Sequence, residues 1–116
     1  MNHPRTNNTA EHHQLWIAEA SRPSRAVALP DTVTIGRDAE NDIVLAAASV
    51  SRRHALLLRD SAGTLLIDLE STNGTLVNGV PARPDEPVRL ADGDTLRFGQ
   101  VVARYGRVTS VGSWVT

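Results

Sequence analysis

Cysteine is absent from this chain of 116 residues, so no disulfide framework holds it together. Aromatic residues make up only 3% of it, too few for a platform on which nucleobases stack. The formal net charge of -1 supplies no general attraction for a phosphate backbone. Nucleic acid is therefore not an expected partner. No apolar run is long enough to span a bilayer, and Met1 to Asn8 lack the continuous apolar stretch of a secretion signal. The expectation is a soluble cytoplasmic protein of one domain, large enough for a modest core without metal.

From Leu15 onward, short apolar runs alternate with turn residues about every 8–12 positions, the spacing of an antiparallel sandwich. Strands are expected at 15–18, 25–29, 33–37, 43–45, 54–59, 64–68, 75–77, 88–90, 95–98 and 100–105. Val33 and Ile35 alternate with Thr32 and Thr34, and Leu65, Ile67 and Leu69 with Thr64 and Asp68, so each strand has one face to bury. Leu56, Leu57 and Leu58 break the alternation. They predict a central strand, covered by the opposite sheet on one side and partly by loops or the N-terminal segment on the other. Asn78-Gly79 suits a two-residue hairpin of type I′; Asp60 to Gly63 and Asp92 to Asp94 mark two further reversals. The fold class is all-β: two packed antiparallel twisted sheets of about 10–11 short strands. Residues 1–13, polar apart from Met1 and Ala10, bury too little to offset the entropy of ordering and predict a tail. Residues 14–106 form the domain, and 107–116 either extend the last strand or form a tail.

Three polar clusters fall at strand ends or turns: Gly36-Arg37, Ser51-Arg52-Arg53-His54, and Ser71-Thr72-Asn73-Gly74-Thr75. Arg37 ends a strand, where it either pairs with Asp38, Glu40 or Asp42 or aims its fork of donors at an anion. The Ser51 hydroxyl is a donor just before the leucine-rich strand, while Arg53 should point to the opposite side, into solvent. His54 has no second histidine or acid at metal-ligand spacing, so no metal site is expected. The third cluster is a turn by composition alone.

In this order, the clusters resemble the forkhead-associated (FHA) domain, a phosphothreonine-binding module, over roughly Gln14 to Tyr105. The resemblance implies a phosphopeptide lying across loops at one end of the sandwich. Arg37, Ser51 and Arg52 would contact phosphate or peptide, Thr72 would border the phosphothreonine pocket, and Asn73 would hydrogen-bond the peptide main chain. Gly36, His54 and Gly74 would be structural. Selection would fall on the third residue after phosphothreonine, with Ser49, Gly99 and Gln100 as candidates. The implied partner is a threonine-phosphorylated protein, a Ser/Thr kinase or its substrate, with no cofactor and no membrane insertion. A few charge-assisted hydrogen bonds, offset by ordering of the peptide, point to roughly micromolar affinity.

Other readings stay open beside it. A phosphate-independent scaffold would use the same sandwich through an exposed strand edge. A hydrolase would need Ser51, His54 and one of Asp38, Asp42 or Asp68 as a triad, yet no Gly-x-Ser-x-Gly elbow is present; no enzyme is expected. Thr6 and Thr9, if phosphorylated, would let the chain occupy its own site or that of a second copy.

Overall fold

The computed structural model describes residues 9–111, and the side chains of residues 12–108. Eleven strands form two sheets. They are β1 (Thr9–Glu19), β2 (Arg22–Ala28), β3 (Thr32–Gly36), β4 (Ile43–Val44), β5 (Ala55–Asp60), β6 (Gly63–Asp68), β7 (Thr75–Val77), β8 (Val80–Pro81), β9 (Val88–Arg89), β10 (Thr95–Phe98) and β11 (Val101–Val111). One sheet runs β2-β1-β11-β10-β7-β8 and the other β4-β3-β5-β6-β9. No helix long and apolar enough to cross a membrane occurs among the described residues.

Period-two patterning sets which residues meet between the sheets. Leu15, Ile17, Leu96, Phe98, Ala103 and Tyr105 from the first sheet and Val33, Ile35, Ala55, Leu57 and Leu66 from the second are all buried in one core. Each large aliphatic or aromatic side chain there contributes about 1.5–3 kcal/mol by leaving water. The leucine-rich strand is central, as its composition implies, with β5 between β3 and β6. Its outward residues Leu56 and Leu58 are half-buried among cross-strand neighbours: Thr34 and Ile67 flank Leu56, and Thr32 and Leu65 flank Leu58. Among the described residues the N-terminal strand β1 does not cover that face, because it belongs to the other sheet. Asn78 and Gly79 both have positive φ, 52° and 83°, as a type I′ turn between Val77 and Val80 requires.

The facing of β6 is the reverse of the expected one: Thr64, Leu66 and Asp68 are buried, while Leu65, Ile67 and Leu69 are half-buried. The two polar side chains find buried hydrogen-bond partners, Thr64 with Tyr105 and His13 and Asp68 with Ser71 and Thr75. Two further expectations are corrected. The strand begins at Thr9, inside the segment expected to be a tail, and pairs with β11 from Thr9 opposite Val111 to Ala18 opposite Val102. A count of apolar residues missed this because the ladder is backbone-made and its inward residue, His13, is buried by polar contacts. His13 Nδ1 meets the Tyr105 and Thr64 hydroxyls, and Tyr105 donates to Thr64 Oγ1 at 2.8 Å. Thr9 thus lies in a paired strand, while Thr6 and Trp114 lie outside the described residues. The second correction concerns strand direction: β3 and β4 are parallel, Ile35 opposite Ile43 and Gly36 opposite Val44. The intervening loop doubles back around Asp42, whose carboxylate accepts from the Thr34 amide at 2.9 Å and hydroxyl at 3.1 Å, while the Asp42 amide donates to Thr34 Oγ1 at 2.8 Å.

Candidate functional site

The loops 37–42, 45–54 and 69–74 and the turn at 99–100 meet at one end of the sandwich. Backbone bonds lay the first loop on the second: Arg37 N donates to Ser51 O at 2.9 Å and Asp38 N to Arg52 O at 3.2 Å. Gly36 makes this approach possible, since a Cβ there would sit 2.2 Å from the Arg52 carbonyl oxygen. Asn41 reinforces the join, donating through Nδ2 to Arg52 O at 2.7 Å and Asp38 O at 2.9 Å.

Arg37 itself is exposed and anchored by its inner nitrogen, with Nε donating to Val50 O at 2.9 Å. The terminal nitrogens of the guanidinium are left for an external acceptor. Among the described residues no carboxylate forms an ion pair with Arg37, so pairing with Asp38, Glu40 or Asp42 does not account for it. Arg52 and Arg53 are also exposed and free of ion pairs among the described residues. Arg53 lines a cavity of about 110 Å³ with Thr34, Asp38, Glu40 and Asn41.

Ser51 Oγ accepts from Thr72 N at 2.9 Å. Accepting through a lone pair leaves the hydroxyl proton to be donated elsewhere. Thr72 and Asn73 are exposed, and Asn73 Nδ2 donates to Ser49 O at 2.8 Å, which leaves its second N–H and its Oδ1 unclaimed. Ser49 Oγ in turn accepts from Gln100 N at 2.9 Å, and Gly99 N donates to Gly74 O at 3.1 Å. Ser49, Asn73, Gly99 and Gln100 are therefore brought together. Gly99 serves that packing: a Cβ on it would lie 2.3 Å from Ser49 O.

His54 is fully buried beneath these loops, edge-on to Phe98. Its Nδ1 accepts from Ser51 N at 3.0 Å and its Nε2 lies 2.9 Å from Gly74 O. A carbonyl only accepts, so the ring is the neutral tautomer with its proton on Nε2. Burial lowers its pKa below the ordinary histidine value, against the raising effects of the Gly74 carbonyl and Asp68. Ser51 reaches His54 through its amide rather than its hydroxyl, and both ring nitrogens serve backbone groups. The arrangement lacks the nucleophile-to-base contact of a triad.

Asp68 and Asn41 are the residues whose work sequence reading missed. The buried Asp68 carboxylate takes the Ser71 amide at 3.1 Å, the Ser71 hydroxyl at 2.6 Å and the Thr75 hydroxyl at 2.6 Å. It thereby shapes the turn bearing Thr72 and Asn73. The available signal was an aspartate three residues before a serine at a strand end, the pattern of a local side-chain-to-backbone turn.

Fold and site together define a β-sandwich recognition module whose side chains converge on one loop-bearing end. The FHA domain family profile matches residues 33–99, and the chain belongs to that family. It is 44% identical over 72 residues to an ABC transporter ATP-binding/permease protein of Mycobacterium tuberculosis, covering 62% of this chain and 8% of that protein. A domain solved for a structural and functional analysis of phosphothreonine-dependent FHA domain interactions superposes with a TM-score of 0.73 and 34% identity, covering 82% of this chain and 95% of that one. Mycobacterium tuberculosis EmbR, solved with a low affinity phosphopeptide, gives a TM-score of 0.72 at 32% identity over 88% of this chain and 25% of that one. The chain spans 8%, 18% and 12% of the length of three of the curated relatives it matches.

Proposed function

We propose that the loop end binds a threonine-phosphorylated peptide and so recruits a phosphorylated protein, a Ser/Thr kinase or its substrate, in signalling or regulated assembly. The observation that carries this reading is Arg37, fixed by Nε on Val50 O with its outer donors unpaired by any described carboxylate. A phosphothreonine dianion needs such a fixed fork together with neutral donors, which the Ser51 hydroxyl and the outer amide of Asn73 supply. Arg52, exposed on the same loop, adds charge, and Thr72 borders the phosphate position. Ser49 and Gln100 would contact residues beyond the phosphothreonine, while Gly99 acts only through its close packing. The two backbone bonds of His54 support binding rather than catalysis. The absence of cysteine is consistent with a cytoplasmic setting.

The test is a titration against a degenerate peptide pool in matched phosphothreonine, phosphoserine and unphosphorylated forms. The expected result is roughly micromolar binding of the phosphothreonine form alone, abolished in Arg37→Ala with little change in melting temperature. Binding that survives intact in a folded Arg37→Ala variant would overturn the assignment. No binding in any form would favour a phosphate-independent scaffold.

A further inference from the structure

At the same end of the sandwich, a side-chain cluster outside the three polar clusters joins the two sheets. Glu19, the last residue of β1, has a side chain only 2% exposed. Its Oε1 accepts from Arg22 Nε at 2.7 Å and Arg25 Nη1 at 2.6 Å, and its Oε2 accepts from Ala46 N at 3.1 Å. The same two arginines reach across to the other sheet, donating to Val44 O from Arg22 Nη2 at 2.8 Å and Arg25 Nη2 at 3.1 Å. Burial pushes the Glu19 carboxyl up, but the hydrogen bonds and charges of Arg22 and Arg25 outweigh it and hold the pKa below the ordinary value.

The segment gripped in this way opens the loop that carries Ser49 and Ser51. After Ala46, Ala47 O accepts from Val50 N at 3.0 Å, and Val50 O is the acceptor that fixes Arg37 Nε. Few other bonds hold the loop's start; the Leu45 amide, donating to Gly36 O at 2.9 Å, is one. A rigid supporting shell decides whether a binding side chain sits in its productive position. We infer that Glu19, with Arg22 and Arg25, is a positioning cluster for phosphopeptide recognition, setting through Val44–Ala46 the place of the Val50 carbonyl and hence of Arg37. This rests on the phosphothreonine-binding reading above.

The test compares Glu19→Gln with Arg89→Ala, which breaks the Arg89–Asp60 pair by the β5–β6 turn at the opposite end of the sandwich. A glutamine has one acceptor oxygen in place of two, so it cannot hold both the arginines and the Ala46 amide as the carboxylate does. Affinity for the best phosphothreonine peptide from the pool is measured at a temperature where both variants are folded. In parallel, the Arg37 Nε–H resonance is followed by NMR without ligand. Glu19→Gln should weaken binding about tenfold, the order of one charge-assisted hydrogen bond to phosphate, and should shift or broaden the Arg37 resonance; Arg89→Ala should do neither. Should Glu19→Gln fail to fold, Arg22→Ala, whose side chain is 42% exposed, should move both readouts in the same direction by a smaller amount. A folded variant of the cluster with both readouts unchanged, whatever its melting temperature, overturns the inference. Failure of the wild-type chain to bind any phosphopeptide would instead refute the function, while the Arg37 resonance would still report the coupling.

Discussion

Replacing His54 by alanine removes a side chain that ties two recognition loops to the core. Three losses add up. The Ser51 amide loses its acceptor, and because Ser51 is only partly buried the low end of the penalty for an unmet donor applies, about 1 kcal/mol. Gly74 O loses one of two donors but keeps Gly99 N, so about 1 kcal/mol is lost there. The imidazole volume beside Phe98 becomes a small cavity, worth about 1–2 kcal/mol. A total near 3 kcal/mol lowers Tm by roughly 10–20 °C in a domain of this size, yet leaves it folded in the cold if its stability is about 5–15 kcal/mol. Thermal unfolding at pH 7.5 and calorimetric titration of phosphopeptide at 10 °C measure the two consequences. His54→Gln keeps a donor for Gly74 O and loses the acceptor for Ser51 N, so it should fall between wild type and alanine in both. A Tm of His54→Ala within a few degrees of wild type would refute the structural role. A large fall in Tm with affinity intact would refute the link from His54 to the binding loops.

Gly99→Ala places a Cβ 2.3 Å from Ser49 O, so backbone must move; overpacking of about 1–3 kcal/mol is expected, with weaker phosphopeptide binding because Ser49 shifts. Gly106→Ala is the comparison, since its nearest atom beyond its chain neighbours is Asp92 Oδ1 at 3.6 Å, and its Tm and affinity should stay close to wild type. Acid should destabilise the domain through His54. Burial holds its folded pKa below the ordinary value, so below about pH 6.5 the unfolded chain takes up a proton that the folded one refuses. Stability from this group is complete above that pH and falls as pH drops toward the folded pKa, by at most about 1.4 kcal/mol per pH unit. Melting curves between pH 7.5 and 5 should show this fall in wild type and a smaller one in His54→Gln; equal slopes would reject the assignment.

The clusters were legible because each chemical requirement sat in a few consecutive residues: a glycine before Arg37, a hydroxyl three residues before His54, an amide in a turn. Alternation in β3 was legible for the same local reason, and so was the Asn78-Gly79 hairpin. In β6, by contrast, the buried face is Thr64, Leu66 and Asp68, whose polar members are satisfied by residues outside the strand. What escaped depended on partners far apart in the chain. Residues 9–13 lack apolar mass, and their order comes from backbone pairing with β11 and from His13 meeting residues 51 and 92 positions away. Parallel pairing of β3 with β4 was hidden because so short a connection ordinarily joins antiparallel strands; the side chain of Asp42 bends it back. Glu19 carried no local sign of its partner Ala46, 27 residues on.

These long-range ties explain why the combination of clusters is specific although each fragment is common. Ser51 Oγ requires Thr72 N, Asn73 requires Ser49 O, and His54 joins Ser51 N to Gly74 O, so the second and third clusters complete each other's hydrogen bonds. Arg37 enters the same network through Val50 O. Three of the proposed ligand-facing side chains, Arg37, Ser51 and Asn73, are each fixed through one hydrogen-bonding atom while other capacity is left for a ligand. A site built in this way is ordered before ligand arrives, so binding a flexible peptide costs mainly the ordering of the peptide itself. A chain with Gly-Arg alone, or Ser-x-x-His alone, would leave those side chains unanchored and would forfeit that advantage.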